Sequence, residues 1–121
     1  DTDAGGVVYY ANYLRYLERA RTEWLRQLGF EQDRLMRDVG IVFAVRHVEI
    51  DYRSPARLDD ALVVDLQIAD LGRASLSFRQ RLLRDDALLS AATVKVVCLN
   101  HQTFRPVAIP TTVRDRIHAH Q

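Results

Sequence analysis

Apolar side chains recur at three- and four-residue steps near the start of the chain: Tyr10, Tyr13, Leu14, Leu17, Ala20, Trp24, Leu25 and Leu28. That spacing puts them on one face of a helix. Arg15, Glu18, Arg19, Thr22, Glu23 and Arg26 fall largely on the other face. The pattern predicts a helix from about Val8 or Tyr10 to Leu28, with Gly29 as its C-cap. At about 1.5 Å per residue it would run roughly 27 Å, long enough to cross a sheet. Ahead of it, Asp1–Gly6 reads as a loop, because Gly5 and Gly6 permit backbone shapes that other residues resist. A short second helix is predicted over Glu31–Val39, stopping at Gly40.

After Gly40 the period changes to two. Over Ile41–Tyr52, Val42, Ala44, Val48, Ile50 and Tyr52 alternate against Val45, His47, Glu49 and Asp51, which predicts a strand. Ser54–Asp60 breaks it. Leu62–Ala69 alternates around Val64, Leu66 and Ile68. Asp70-Leu71-Gly72 marks a turn, and Ala74–Leu83 continues as a strand. Arg84-Asp85-Asp86 turns again, and the apolar run Leu88–Leu99 suits a central strand. Thr103–Ala108 is expected to pair briefly, and Thr111–His118 to form a terminal helix.

One long helix followed by four long antiparallel strands implies an α+β fold in a single domain spanning residues 1–121. Only that helix is large and apolar enough to cover the sheet, so a sheet wrapped around a central helix is the economical solution.

Charge narrows the function. With 17 basic and 16 acidic residues, the net charge of +1 argues against a nucleic-acid binder or a polybasic membrane arm. No apolar run approaches a membrane span, and the polar N-terminus carries no signal-peptide pattern. The single cysteine, Cys98, allows no internal disulfide, fits a reducing cytoplasm and reads as a buried core thiol. Histidines 47, 101, 118 and 120 lack metal-ligand spacing, so no metal site is expected. Gly-x-Ser-x-Gly and phosphate-binding glycine loops are both missing from the sequence. Trp24 and the tyrosine stripe read as core or interface rather than as a cofactor box.

The segment Asp-Thr-Asp-Ala-Gly-Gly-Val-Val-Tyr-Tyr-Ala-Asn-Tyr, then Tyr-Leu-Glu-Arg-Ala-Arg-Thr-Glu, within Asp1–Glu23, resembles the hotdog-fold thioesterases. It is most similar to the bacterial Tol-Pal-associated acyl-CoA thioesterases, within the wider 4-hydroxybenzoyl-CoA thioesterase group. Ser54-Pro55-Ala56-Arg57-Leu58-Asp59-Asp60 is also similar to a family segment between strands. The resemblance implies the hotdog fold and hydrolysis of an acyl-CoA thioester, with CoA part of the substrate and no cofactor. The family carries a strand ahead of the Asp-Thr-Asp loop, and this sequence opens without it, so further residues are expected upstream. Position 10, here Tyr10, often holds His in the Tol-Pal type, whereas the hydroxybenzoyl type is similar to this sequence there.

By that resemblance Asp3 is the catalytic carboxylate, either attacking the carbonyl or acting as a base on water; the sequence leaves both open. The Tyr10 backbone amide polarises the carbonyl, within the loop-to-helix transition from Gly6 to Tyr10. Without the resemblance, Asp3 would read as a turn-stabilising residue. Glu18 is the rival carboxylate, since some hotdog thioesterases use a glutamate from the long helix; its bland reading is a surface residue near Arg15, Arg19 and Arg21. Arg73 and Ser75 stand about where relatives contact the CoA nucleotide. Arg57 is a further candidate for phosphate, whose geometry guanidinium suits.

Two other readings are weighed. A hotdog hydratase or dehydratase needs a His near the helix start, and none precedes His47. A catalytically silent acyl-CoA-binding subunit is the third. The resemblance implies a homodimer or homotetramer with the site between subunits. CoA and acyl-carrier-protein thioesters are not distinguished, nor is the acyl chain.

Overall fold

The computed structural model describes residues 10–54 and 61–120, the first three by backbone alone. Helix α1 (Tyr10–Gln27) leads into a short α2 (Gln32–Arg34) that continues as a π-helical turn (Leu35–Val39). Strands β1 (Ile41–Tyr52), β2 (Leu62–Leu71), β3 (Ser75–Arg84) and β4 (Ala87–Asn100) follow, then helix α3 (Thr111–Ala119). Gly40 ends the π turn at φ 82° and its N–H donates to the Leu35 carbonyl. Only a residue without Cβ takes that left-handed shape at little cost, which is why the helical segment stops there.

The strands form one antiparallel sheet in the order β1-β4-β3-β2. Among the described residues the central pair supplies half of the buried apolar side chains, including Leu76, Phe78 and Leu82 from β3 and Val94, Val96 and Cys98 from β4. Helix α1 lies over the sheet on its β2 and β3 side, burying Tyr13, Leu17, Leu25 and Leu28. Val113 and Ile117 of α3 close the far end, where Arg116 Nη1 donates to the Leu28 carbonyl at 3.1 Å. The expected brief pairing of Thr103–Ala108 is a bridge between Leu99 and Pro106.

Two faces differ from the sequence pattern. In β1 the register shifts between Val45 and His47, so Arg46 is an extra residue without a partner on β4. A bulge of this kind moves every later side chain to the other face. Phe43 and Val45 therefore share the helix-facing side with Val48, Ile50 and Tyr52, and Val42 and Ala44 do not. Leu14, which the periodicity puts on the apolar face, is 45% exposed. It lies on the flank of α1 that turns away from β2 and β3.

Candidate active site

The first N–H groups of an α-helix have no partner inside the helix and carry partial positive charge. Among the described residues, the first turn of α1 from Tyr10 contains no acidic residue. Tyr13 fixes this end of the helix. Its ring is buried and stacks on Tyr52 at 5.3 Å, and its hydroxyl donates to the Ser54 carbonyl at 3.2 Å. Leu82 and Leu89 complete a small apolar cluster beneath it. Asp3, Gly6 and Arg57 lie outside the described residues.

A pocket of about 330 Å³ opens between α1 and the β1 side of the sheet. Trp24, Leu25, Phe43, Leu76, Phe78 and Val96 give it apolar walls. Trp24 meets Phe78 edge-on, ring centres 5.1 Å apart. Its polar members are Glu18, Arg21, Thr22 and Gln32. Glu18 is exposed at the pocket wall. Eight residues separate it from Tyr10, roughly 12 Å along the axis, so in one chain it belongs to the pocket rather than to the first turn. Arg21 is the residue that the sequence pattern hides. It is half-buried, and its Nη1 donates to Gln80 Oε1 at 3.0 Å. Gln80 is fully buried and its Nε2 donates to the Leu17 carbonyl at 2.9 Å, so sheet and helix are locked together there. The available signal was spacing: Arg21 stands four residues from both Leu17 and Leu25.

Arg73 is exposed in the turn between β2 and β3, and Ser75 is half-buried at the start of β3. Arg114 of α3 clamps that turn, donating from Nη2 to the Gly72 and Arg73 carbonyls at 2.7 and 2.9 Å. The clamp leaves the Arg73 side chain facing solvent. Ser75 and Leu82, the latter packed against Tyr13, lie seven residues apart on β3, roughly 23 Å at strand rise. One chain therefore does not bring Arg73 and Ser75 to the start of α1.

His47 faces solvent and pairs with Glu49 at 3.2 Å, away from the helix start. Among the described residues no cluster of three or more His, Cys, Asp or Glu could hold a metal ion. Cys98 is fully buried, and burial pushes its thiol up to about 11. At pH 8 about one thiol in a thousand is then ionised. Alkylation by iodoacetamide at pH 8 is expected to be at least about a hundredfold slower in the folded protein than in urea, read by mass spectrometry; equal rates would contradict the burial.

Residues 1–117 match the Thioesterase-like superfamily. The chain belongs to that family. The acyl-CoA thioesterase YbgC of Haemophilus influenzae is 47% identical over 118 residues, covering 98% of this chain and 87% of that protein. The acyl-CoA thioester hydrolase YbgC of Escherichia coli O6:H1 is 44% identical, covering 93% and 84%. A solved gentisyl-coenzyme A thioesterase superposes with a TM-score of 0.86 at 26% identity, covering 97% of this chain and 91% of the other. The sheet and long helix are thus the hotdog arrangement of this family. None of the described helices is long and apolar enough to cross a membrane.

Proposed function

We propose that the chain hydrolyses acyl-CoA thioesters at the start of α1. Water adds across the C–S bond, giving a free acid and the CoA thiol, and no cofactor takes part. The observation that carries this reading is the start of a long helix, held against the sheet through Tyr13, in a chain of the thioesterase family. Amides aimed from there at the carbonyl oxygen stabilise the oxyanion as it forms. Asp3 supplies the negative group that attacks the carbonyl carbon or takes a proton from water.

The site is shared between two copies of the chain. Two observations support this. The candidate nucleotide contacts Arg73 and Ser75 are remote from the helix start of their own chain, so a second copy is needed to place them beside it. Among the described residues, β1 and β2 also leave both outer edges of the sheet unpaired, and pairing across a two-fold axis covers such an edge. A homodimer, or a tetramer of paired dimers, follows, with Arg73 and Arg57 toward the CoA phosphates. A reducing cytoplasm suits the buried free thiol.

The test is CoA thiol release over saturated acyl-CoAs of two to sixteen carbons, alongside the same acyl groups on an acyl carrier protein. Catalytic release from at least one acyl-CoA is expected. Binding without release across the series would instead support a silent acyl-CoA-binding subunit.

A further inference from the structure

Arg21 occupies a slot that the apolar stripe of α1 would give to a hydrocarbon side chain. Leu17 and Leu25, four residues either side, are both buried. Tyr10 lies eleven residues earlier, three turns back and about 20° around the axis. Arg21 therefore leaves the helix on the same side as its start, and it lines the pocket walled by Trp24, Phe43 and Phe78.

Its charge is poorly matched there. A guanidinium has five N–H donors, and among the described residues its hydrogen-bond partner is the neutral amide of Gln80. No described carboxylate comes within ion-pair distance of it. Glu18 attracts it from farther off, but burial outweighs that attraction and holds the guanidinium below the usual arginine range. A half-buried cation with so few partners is costly unless an anion completes it.

We propose that Arg21 binds a carboxylate at the far end of the acyl chain, so that CoA thioesters of medium-length dicarboxylic acids are preferred. This rests on the thioesterase reading above. The length follows from the helix. Eleven residues span roughly 16 Å, and an arginine leaning toward the helix N-terminus shortens that to about 10 Å. A carbon chain advancing roughly 1.3 Å per bond covers it with about eight carbons. Glu18 sits exposed at the wall, where solvent screens its repulsion.

The experiment compares suberoyl-CoA with octanoyl-CoA, equal in carbon count, for the wild type, Arg21→Met and Arg21→Lys. The wild-type kcat/KM is expected to favour suberoyl-CoA by at least about tenfold, the scale of one charge-assisted contact. Arg21→Met removes that preference, chiefly through KM for the diacid, and Arg21→Lys keeps part of it. A wild type that cleaves octanoyl-CoA equally well or better overturns the proposal and leaves the thioesterase reading standing. So does an Arg21→Met variant that lowers both substrates alike. Failure to cleave either, or any other acyl-CoA, removes the thioesterase reading itself.

Discussion

Asp3→Asn is expected to cut CoA release about a thousandfold or more while leaving the circular dichroism spectrum and melting temperature unchanged. Asparagine keeps the size of the side chain and much of its hydrogen bonding. It loses the charge, and with it both the nucleophile and the base. Positioned general bases alone contribute about 10² to 10⁴ in rate, and loss of a covalent route costs at least as much. The amides of the first turn remain, so a residual rate above that of buffer is expected. Activity within about tenfold of the wild type would show that the reaction runs through another group. Glu18→Gln, in parallel, checks the rival carboxylate.

Phe78→Ala carries the largest expected loss of stability, about 3–5 kcal/mol, the range for a buried aromatic truncated in a core. Phe78 is 3% exposed at the middle of β3, between Ile68 of β2 and Val94 of β4. Both neighbours are held by backbone ladders, so neither strand can close over the gap. Trp24 would also lose its edge-on partner. Urea unfolding followed by tryptophan fluorescence measures the change. A loss below about 1 kcal/mol would mean that the pocket collapses onto the site, contrary to a rigid helix–sheet frame.

The elements were legible because their chemistry is local. The three- and four-residue period, Gly29 and Gly40 set the helices, and the period of two set the strands, each within two residues of the observed ends. What the sequence hid depends on partners far along the chain. The bulge at Arg46 follows from pairing with β4, and alternation alone could not report it, so Val42 and Ala44 were read onto the wrong face. The helical period puts Leu14 on the apolar face and says nothing of Arg21, whereas the position of α1 over β2 and β3 decides the outcome. That position leaves Leu14 in solvent and turns Arg21 toward Gln80. The site divides the same way. The roles given to Asp3, Gly6 and Arg57 fall outside the described residues, while the separation of Arg73 from the start of α1 needed the register of β3.

The most direct measurement is a crystal structure with an acyl-CoA analogue in which a methylene separates the carbonyl carbon from sulfur, so that it cannot be cleaved. The ketone oxygen is expected within about 3 Å of the Tyr10 amide, the Asp3 carboxylate beside the carbonyl carbon, and the acyl chain running toward Arg21. A ketone bound elsewhere, with Asp3 turned to solvent, would contradict that arrangement.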